Sequence, residues 1–172
     1  KSAKIQDKKI IQQTHERHVQ ALIWNKKYTP AEQKIQKLLA EYPNENWVLA
    51  LSATLAIYRS DFKQSIADYE TILVNDLKSF DGNLGVANAY FASGQTDKAY
   101  QAVYKTLDIF KNQNDAMNFL QKLNENYTPF IEEKLTYSFD NGNNKAYASN
   151  TQITLPVSLK LAFNAAYLYR KP

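Results

Sequence analysis

Displacing the chain by 34 residues sets like on like. Leu39, Leu73 and Leu107 share one slot; Ala31, Ser65 and Ala99 share another; Ile35, Tyr69 and Val103 share a third. Lys26, Ser60 and Gly94 form a fourth, and Tyr28 and Phe62 a fifth, where the next copy has Thr96. A period of this length is the length of one helix–turn–helix unit. Such a unit cannot bury its apolar face alone, so consecutive copies must stack. The small slot lets the second helix of each unit approach the first. The slots four and eight positions later continue the same helical face. Gly94 suits the tight turn between two helices.

This reading predicts helices at about 5–25, 30–42, 46–59, 61–75, 80–93 and 96–111. The segment "TPAE" offers Thr29 as an N-cap, Pro30 at the first helical position and Glu32 for a capping box. A seventh helix is expected at about 115–126, where Leu120 and Leu123 cap the open end of the stack.

These slots resemble the tetratricopeptide repeat (TPR) family. "LGVANAYFASGQTDKAYQAVYKTL" matches best, with Ala87, Tyr90, Gly94 and Ala99 on the family's small and aromatic positions. The resemblance implies a solenoid of about three helix pairs plus a capping helix, with a partner-binding groove lined by the first helix of each pair. It places Gln13, Glu16, Gln20, Ile23 and Trp24 in that groove from the first unit. Trp47, Ala50, Thr54, Ile57 and Tyr58 follow from the second, and Asp81, Leu84, Asn88 and Phe91 from the third. Some members grip a C-terminal carboxylate with Lys, Arg and Asn. This chain has Glu16, Ala50 and Leu84 where such a clamp wants Lys, which argues against that mode. The competing reading buries Trp24 and Trp47 between units.

Catalytic patterns do not hold up. "HERHV" opens like a zinc-protease helix, but its second histidine is His18 and Val19 stands where the ligand belongs. His15 and His18 share a helical face without an evident third ligand, so a solvated pair is expected. Glu132 and Glu133 are adjacent on an extended segment and face opposite sides. Cysteine is absent, which removes thiol catalysis and Cys-based metal sites. The chain reads as a non-enzyme with no catalytic residue, cofactor or metal.

After "NENYTP" the period changes from helical to two. Ile131, Leu135, Tyr137 and Phe139 alternate with Glu132, Lys134, Thr136 and Ser138, and Glu133 interrupts the apolar face. "DNGNN" at 140–144 is a hairpin loop. Alternation resumes from Tyr147 and runs to Tyr169. Either a turn near Pro156–Ser158 yields a third strand, or one long bent strand runs through. The predicted organisation is a helical repeat domain at 1–127 and an antiparallel β meander at 128–172.

Strands of this length with one apolar face fit an outer-membrane barrel as well as a sheet packed on helices. The order of elements resembles proteins in which periplasmic TPR units precede an outer-membrane barrel: exopolysaccharide-export porins and YaiO-type barrels. That resemblance implies a scaffold in the periplasm or outer membrane of a Gram-negative bacterium, holding a protein or polysaccharide in the groove beneath a pore. Leu159, Leu161, Phe163 and Tyr167 would face lipid. Three strands cannot close a barrel, so further strands, pooled copies or a soluble sheet remain as alternatives. The last makes the chain a soluble TPR adaptor with a β-sheet cap, on which those four residues pack.

Of the 21 Lys and Arg, nine lie in residues 1–43 against four acidic residues, so the net +4 is concentrated there. Such a basic end is ordinarily solvated, and no nucleic-acid partner is expected. The chain opens on Lys without an apolar leader, which predicts a mature or trimmed chain, and it has no stretch of 18 apolar residues.

Overall fold

The computed structural model describes residues 2–142, 144–158 and 161–171. The described chain is mostly helical, with seven α-helices followed by a three-stranded antiparallel sheet. The helices are α1 (Ser2–Trp24), α2 (Tyr28–Glu41), α3 (Asn46–Tyr58), α4 (Phe62–Asn75), α5 (Phe80–Ala92), α6 (Thr96–Ile109) and α7 (Asn114–Tyr127). The strands are β1 (Phe130–Phe139), β2 (Lys145–Ser158) and β3 (Leu161–Lys171). Two compact units result, Lys1–Met117 and Asn118–Pro172, and the division falls inside α7.

In the first unit the sequence period becomes a burial period. Ala31, Ser65 and Ala99 are buried, and so are Ile35, Tyr69 and Val103, then Leu38, Ile72 and Thr106. One core joins α1, α2 and α3 through Val19, Ile23, Ile35, Leu38, Leu51 and Leu55. A second joins α3, α4 and α5 through Leu49, Ala53, Tyr69, Ile72, Val86 and Ala89. Helices α1 to α6 each pack on their sequence neighbours, as a stack requires.

The slot of Lys26, Ser60 and Gly94 adopts positive φ in all three copies, at 58°, 63° and 79°. The hydrogen bonds repeat as well. Lys27, Asp61 and Gln95 donate their amides to Leu22, Ala56 and Tyr90, while Lys26, Ser60 and Gly94 donate to Ile23, Ile57 and Phe91. These are Schellman closures, which favour glycine at the left-handed position. Two copies carry a side chain there at a steric cost. Ser60→Gly and Lys26→Gly should each raise stability by about 0.5 kcal/mol, after allowing for glycine's freer unfolded chain. Urea denaturation checks this, and a loss of stability in both would refute it.

The Schellman closure also corrects the expected cap. Helix α2 begins at Tyr28 with Lys27 as its N-cap and no side-chain cap bond, so Thr29 and Pro30 lie inside the first turn. The preceding closure delivers the chain straight into the helix. The equivalent residue of the next copy, Asp61, does cap, accepting from the Gln64 amide at 3.2 Å. Glu32 binds Arg59 instead, at 2.7 Å.

In helix α7, Ala116, Phe119 and Leu123 are buried and Leu120 is half-buried. The strands of the second unit form a meander in the order β1-β2-β3. Asp140 organises the first turn, accepting from the amides of Gly142 at 2.8 Å and Asn144 at 3.0 Å. These bonds, with the Asn144 side chain foremost, hold its carboxyl below the usual range. Strand β2 runs through Pro156 to Ser158, so the turn expected near Pro156–Ser158 is replaced there by strand. Pro156 is tolerated because β1 pairing ends at Thr154 and a register irregularity falls between Pro156 and Ser158.

Register settles the faces. Ile131, Leu135, Tyr137 and Phe139 align with Ile153, Ser149, Tyr147 and Lys145, and Leu155 faces Phe163. The opposite face carries small and polar residues such as Ala146, Ala148, Gln152 and Asn164. Glu133 sits inside the apolar face, where the hydroxyls of Ser149 and Thr151 both donate to it. Those two bonds hold its carboxyl low, the Ser149 bond contributing most. β1 and β3 are exposed along their full length.

Candidate functional site

The first unit contains a cleft of about 270 Å³ lined by α1, α3 and α5, with one residue from α4. Helix α1 supplies Glu16 and Gln20. Helix α3 supplies Trp47, Ala50, Leu51 and Thr54, and α5 supplies Phe80, Asp81, Leu84, Gly85 and Asn88. Residues four apart on one helix line up over successive turns, which is why Glu16 and Gln20, or Ala50 and Thr54, enter together.

Tyr69 of α4 reaches this cleft through the stack. Its ring lies where a Cβ on Gly85 would sit, 2.2 Å from that position, so only glycine admits it. Thr54 donates its hydroxyl to the Ala50 carbonyl at 2.8 Å and shares a 3.2 Å hydrogen bond with the Tyr69 hydroxyl. Burial pushes the Tyr69 phenol up from its ordinary pKa, the Thr54 bond opposes this, and Asp81 adds to it. Trp47 is half-buried, with His15 stacked over it at 6.5 Å and 9° and Tyr42 tilted beside it. Glu16 accepts from the Gln12 side chain at 2.9 Å.

Of the residues expected in the groove, Glu16, Gln20, Trp47, Thr54 and Asn88 line the cleft, together with Ala50, Asp81 and Leu84. Gln13 is exposed on α1 outside it, and Tyr58 is exposed at the end of α3. Phe91 is half-buried at the end of α5 and is not a lining residue. Ile23 belongs to the first core. Trp24 is 67 % exposed, so burial between units is corrected for it: its neighbour Ile23 takes the inward position. Leu51, Tyr69, Phe80 and Gly85 also line the cleft and are not among the expected residues. A glycine in mid-helix, one period after Leu51, is the sequence signal that could have found the last of these. Leu161, Phe163 and Tyr167 are exposed on β3, and Leu159 lies outside the described residues. Among the described residues no group of three metal-ligating side chains comes together.

Solved structures share this arrangement. The Sgt2 TPR domain from Aspergillus fumigatus superposes with a TM-score of 0.58 at 17% identity, over 66% of this chain and 77% of that one. The helical part has the TPR fold. The first TPR of Spaghetti (RPAP3), bound to the HSP90 peptide SRMEEVD, gives 0.57 at 16% identity, over 66% and 90%. A thermophilic TPR protein of Thermus thermophilus gives 0.60 at 13% identity, over 66% and 64%. No family model matches the chain, and no curated protein matches it. In TPR terms, the cleft is lined by the first helices of three consecutive pairs. No described helix is long and apolar enough to cross a membrane.

Proposed function

We propose that the TPR array is a non-enzymatic binding module whose cleft holds an extended, non-acidic segment of a protein partner. The observation that carries this is the charge of the lining: Glu16 and Asp81 are its ionisable acids, and no Lys or Arg stands among the lining residues. Like charges across an interface are costly, so an acidic tail is repelled while a neutral or basic segment is admitted. Two structural neighbours hold acidic peptides, SRMEEVD and SGPTIEEVD. Those precedents support a peptide rather than a polysaccharide as cargo, but Glu16, Ala50 and Leu84 argue for a different peptide charge. The Trp47 face supplies an anchor for an aromatic or aliphatic side chain.

Selection of displayed heptapeptides on the whole chain tests this. Enriched peptides should be neutral or basic with an apolar anchor, and their photo-crosslinks should fall on α1, α3 and α5. Glu16→Lys with Asp81→Lys should invert the charge preference. Recovery of acidic peptides by the unaltered protein, or crosslinks elsewhere, overturns the reading.

A second reading concerns the sheet. Its strands have 10, 14 and 11 residues, long enough to cross a bilayer when tilted. The exposed apolar face gathers Tyr137, Tyr147, Tyr167 and Tyr169 toward the end that carries Lys145, Arg170 and Lys171. Tyrosines beside basic residues suit a membrane interface. On this reading the strands join others in an outer-membrane barrel, since β1 and β3 are open edges that lipid cannot satisfy. Flotation with liposomes discriminates: a chain that stays at the bottom of the gradient, unaffected by Phe163→Glu, is an adaptor whose sheet meets no bilayer.

A further inference from the structure

A second cleft of about 560 Å³ lies elsewhere on the first unit, between α2 and α4 with α3 as its floor. Leu39, Leu49 and Leu55 give it apolar walls, and Glu32, Arg59, Asp61 and Asp68 are its charged lining residues. Three of these four are acids, but two are already engaged. Glu32 holds Arg59 at 2.7 Å, and Asp61 caps α4 through the Gln64 amide.

Asp68 is different. The residue is 8 % exposed, and its Oδ1 accepts from the Gln64 side chain at 2.7 Å. Its Oδ2 is buried without a hydrogen-bond partner. A buried carboxylate oxygen in that state carries the desolvation cost of a charged acceptor, which its neighbours offset only in part. Burial accordingly pushes the Asp68 carboxyl above its ordinary pKa, and nearby Asp61 adds to this, while the Ser52 hydroxyl and Gln64 amide pull the other way.

We propose that this cleft receives an arginine side chain from a bound protein segment, with its guanidinium donating to Oδ2 of Asp68. The charge balance calls for a cation, and the absence of a three-ligand cluster among the described residues argues against a metal ion. An arginine stem has the length and apolar surface to lie along Leu39, Leu49 and Leu55. Its planar fork donates to a carboxylate more specifically than an ammonium does. The rim already holds one guanidinium, that of Arg59, against Glu32. This site is separate from the cleft of α1, α3 and α5 and stands whether or not a peptide binds there.

The test titrates N-acetyl-arginine amide into the whole chain and follows backbone amide resonances, with N-acetyl-lysine amide as comparison. The arginine derivative should give saturable shifts at Ser52, Gln64 and Asp68, and the lysine derivative weaker ones. Asp68→Asn keeps the acceptor for Gln64 and removes the charge. It should weaken arginine binding by about tenfold or more. Thermal stability supplies the contrasting readout. Because the folded-state pKa of Asp68 is raised, its charged form opposes folding above that pKa. The penalty fades as pH falls through the folded pKa toward the ordinary value. Asp68→Asn should therefore raise the melting temperature at pH 7 and lose that gain in acid. An Asp68 that merely supports the fold would instead lower it. Arg59→Met, which removes the competing cation from the lining, should tighten binding. Absence of arginine-dependent shifts at these amides, equal binding by the lysine derivative, or binding indifferent to Asp68→Asn overturns the assignment.

Discussion

Gly85→Ala destabilises the helical unit by about 2 kcal/mol, although alanine is the better helix former. Alanine in mid-helix would otherwise gain about 1 kcal/mol over glycine. The added Cβ falls 2.2 Å from Cε1 of Tyr69 and 2.5 Å from its Cζ. That ring belongs to the core of α3, α4 and α5 and is itself buried, so it can give way only by disturbing that packing and its bond to Thr54. A 2.2 Å contact belongs at the upper end of the about 1–3 kcal/mol that overpacking costs, which leaves about 2 kcal/mol after the propensity gain. The clash also pushes the Tyr69 hydroxyl off Thr54, so peptide affinity should fall beyond the loss of stability. The repeat suggests its own repair. One period earlier the slots of Tyr69 and Gly85 hold Ile35 and Leu51, both in the first core. Tyr69→Ile with Gly85→Leu exchanges one matched pair for another and should restore most of the stability. Urea denaturation of the single and paired variants decides it, and a Gly85→Ala chain at least as stable as wild type would show that the ring yields.

The second large effect is at Ile72, whose side chain is fully buried among α3, α4 and α5. Ile72→Ala should cost about 3 kcal/mol through lost transfer energy and a cavity that closes incompletely. Its coupling to Gly82 is the sharper prediction. A Cβ on Gly82 would meet Cγ2 of Ile72 at 2.9 Å and Cδ2 of Leu73 at 3.0 Å. Gly82→Ala is therefore harmful beside isoleucine and much less so once Ile72 is trimmed. The two substitutions should be less costly together than the sum of each alone, by about 1 kcal/mol. Strict additivity in the double-mutant cycle would mean that α5 shifts to make room.

How much of this was readable beforehand follows from the range of each interaction. The period of 34 was legible because it records contacts made over and over between adjacent helices: the same small, aliphatic and turn residues are required in every copy. Lys26 and Ser60 were alignable with Gly94 for the same reason, since the backbone reversal recurs even where the favoured residue does not. Alternation revealed the strands and "DNGNN" their first turn, both local effects of pleat and backbone conformation. The cleft's lining was partly visible too, because the TPR resemblance placed Glu16, Gln20, Ala50, Thr54 and Leu84 on the first helices of the pairs.

Contacts across helices were not visible in that way. Tyr69 looks like a core residue of α4, and nothing nearby in the chain says that its hydroxyl meets Thr54, 15 positions away. Gly85 looks like a flaw in a helix until the ring occupying its missing Cβ is in place. Trp24 and Trp47 are chemically alike and both fall on groove positions, yet one is exposed while the other stacks under His15. Helical phase set by packing makes that choice. Asp68 is the plainest instance: an acid on an amphipathic helix reads as solvated, and only the closing of α2, α3 and α4 around it strips one oxygen of water and partner alike. Residue type and spacing determine which faces seek burial, but which atoms those faces leave unsatisfied depends on how separate helices meet.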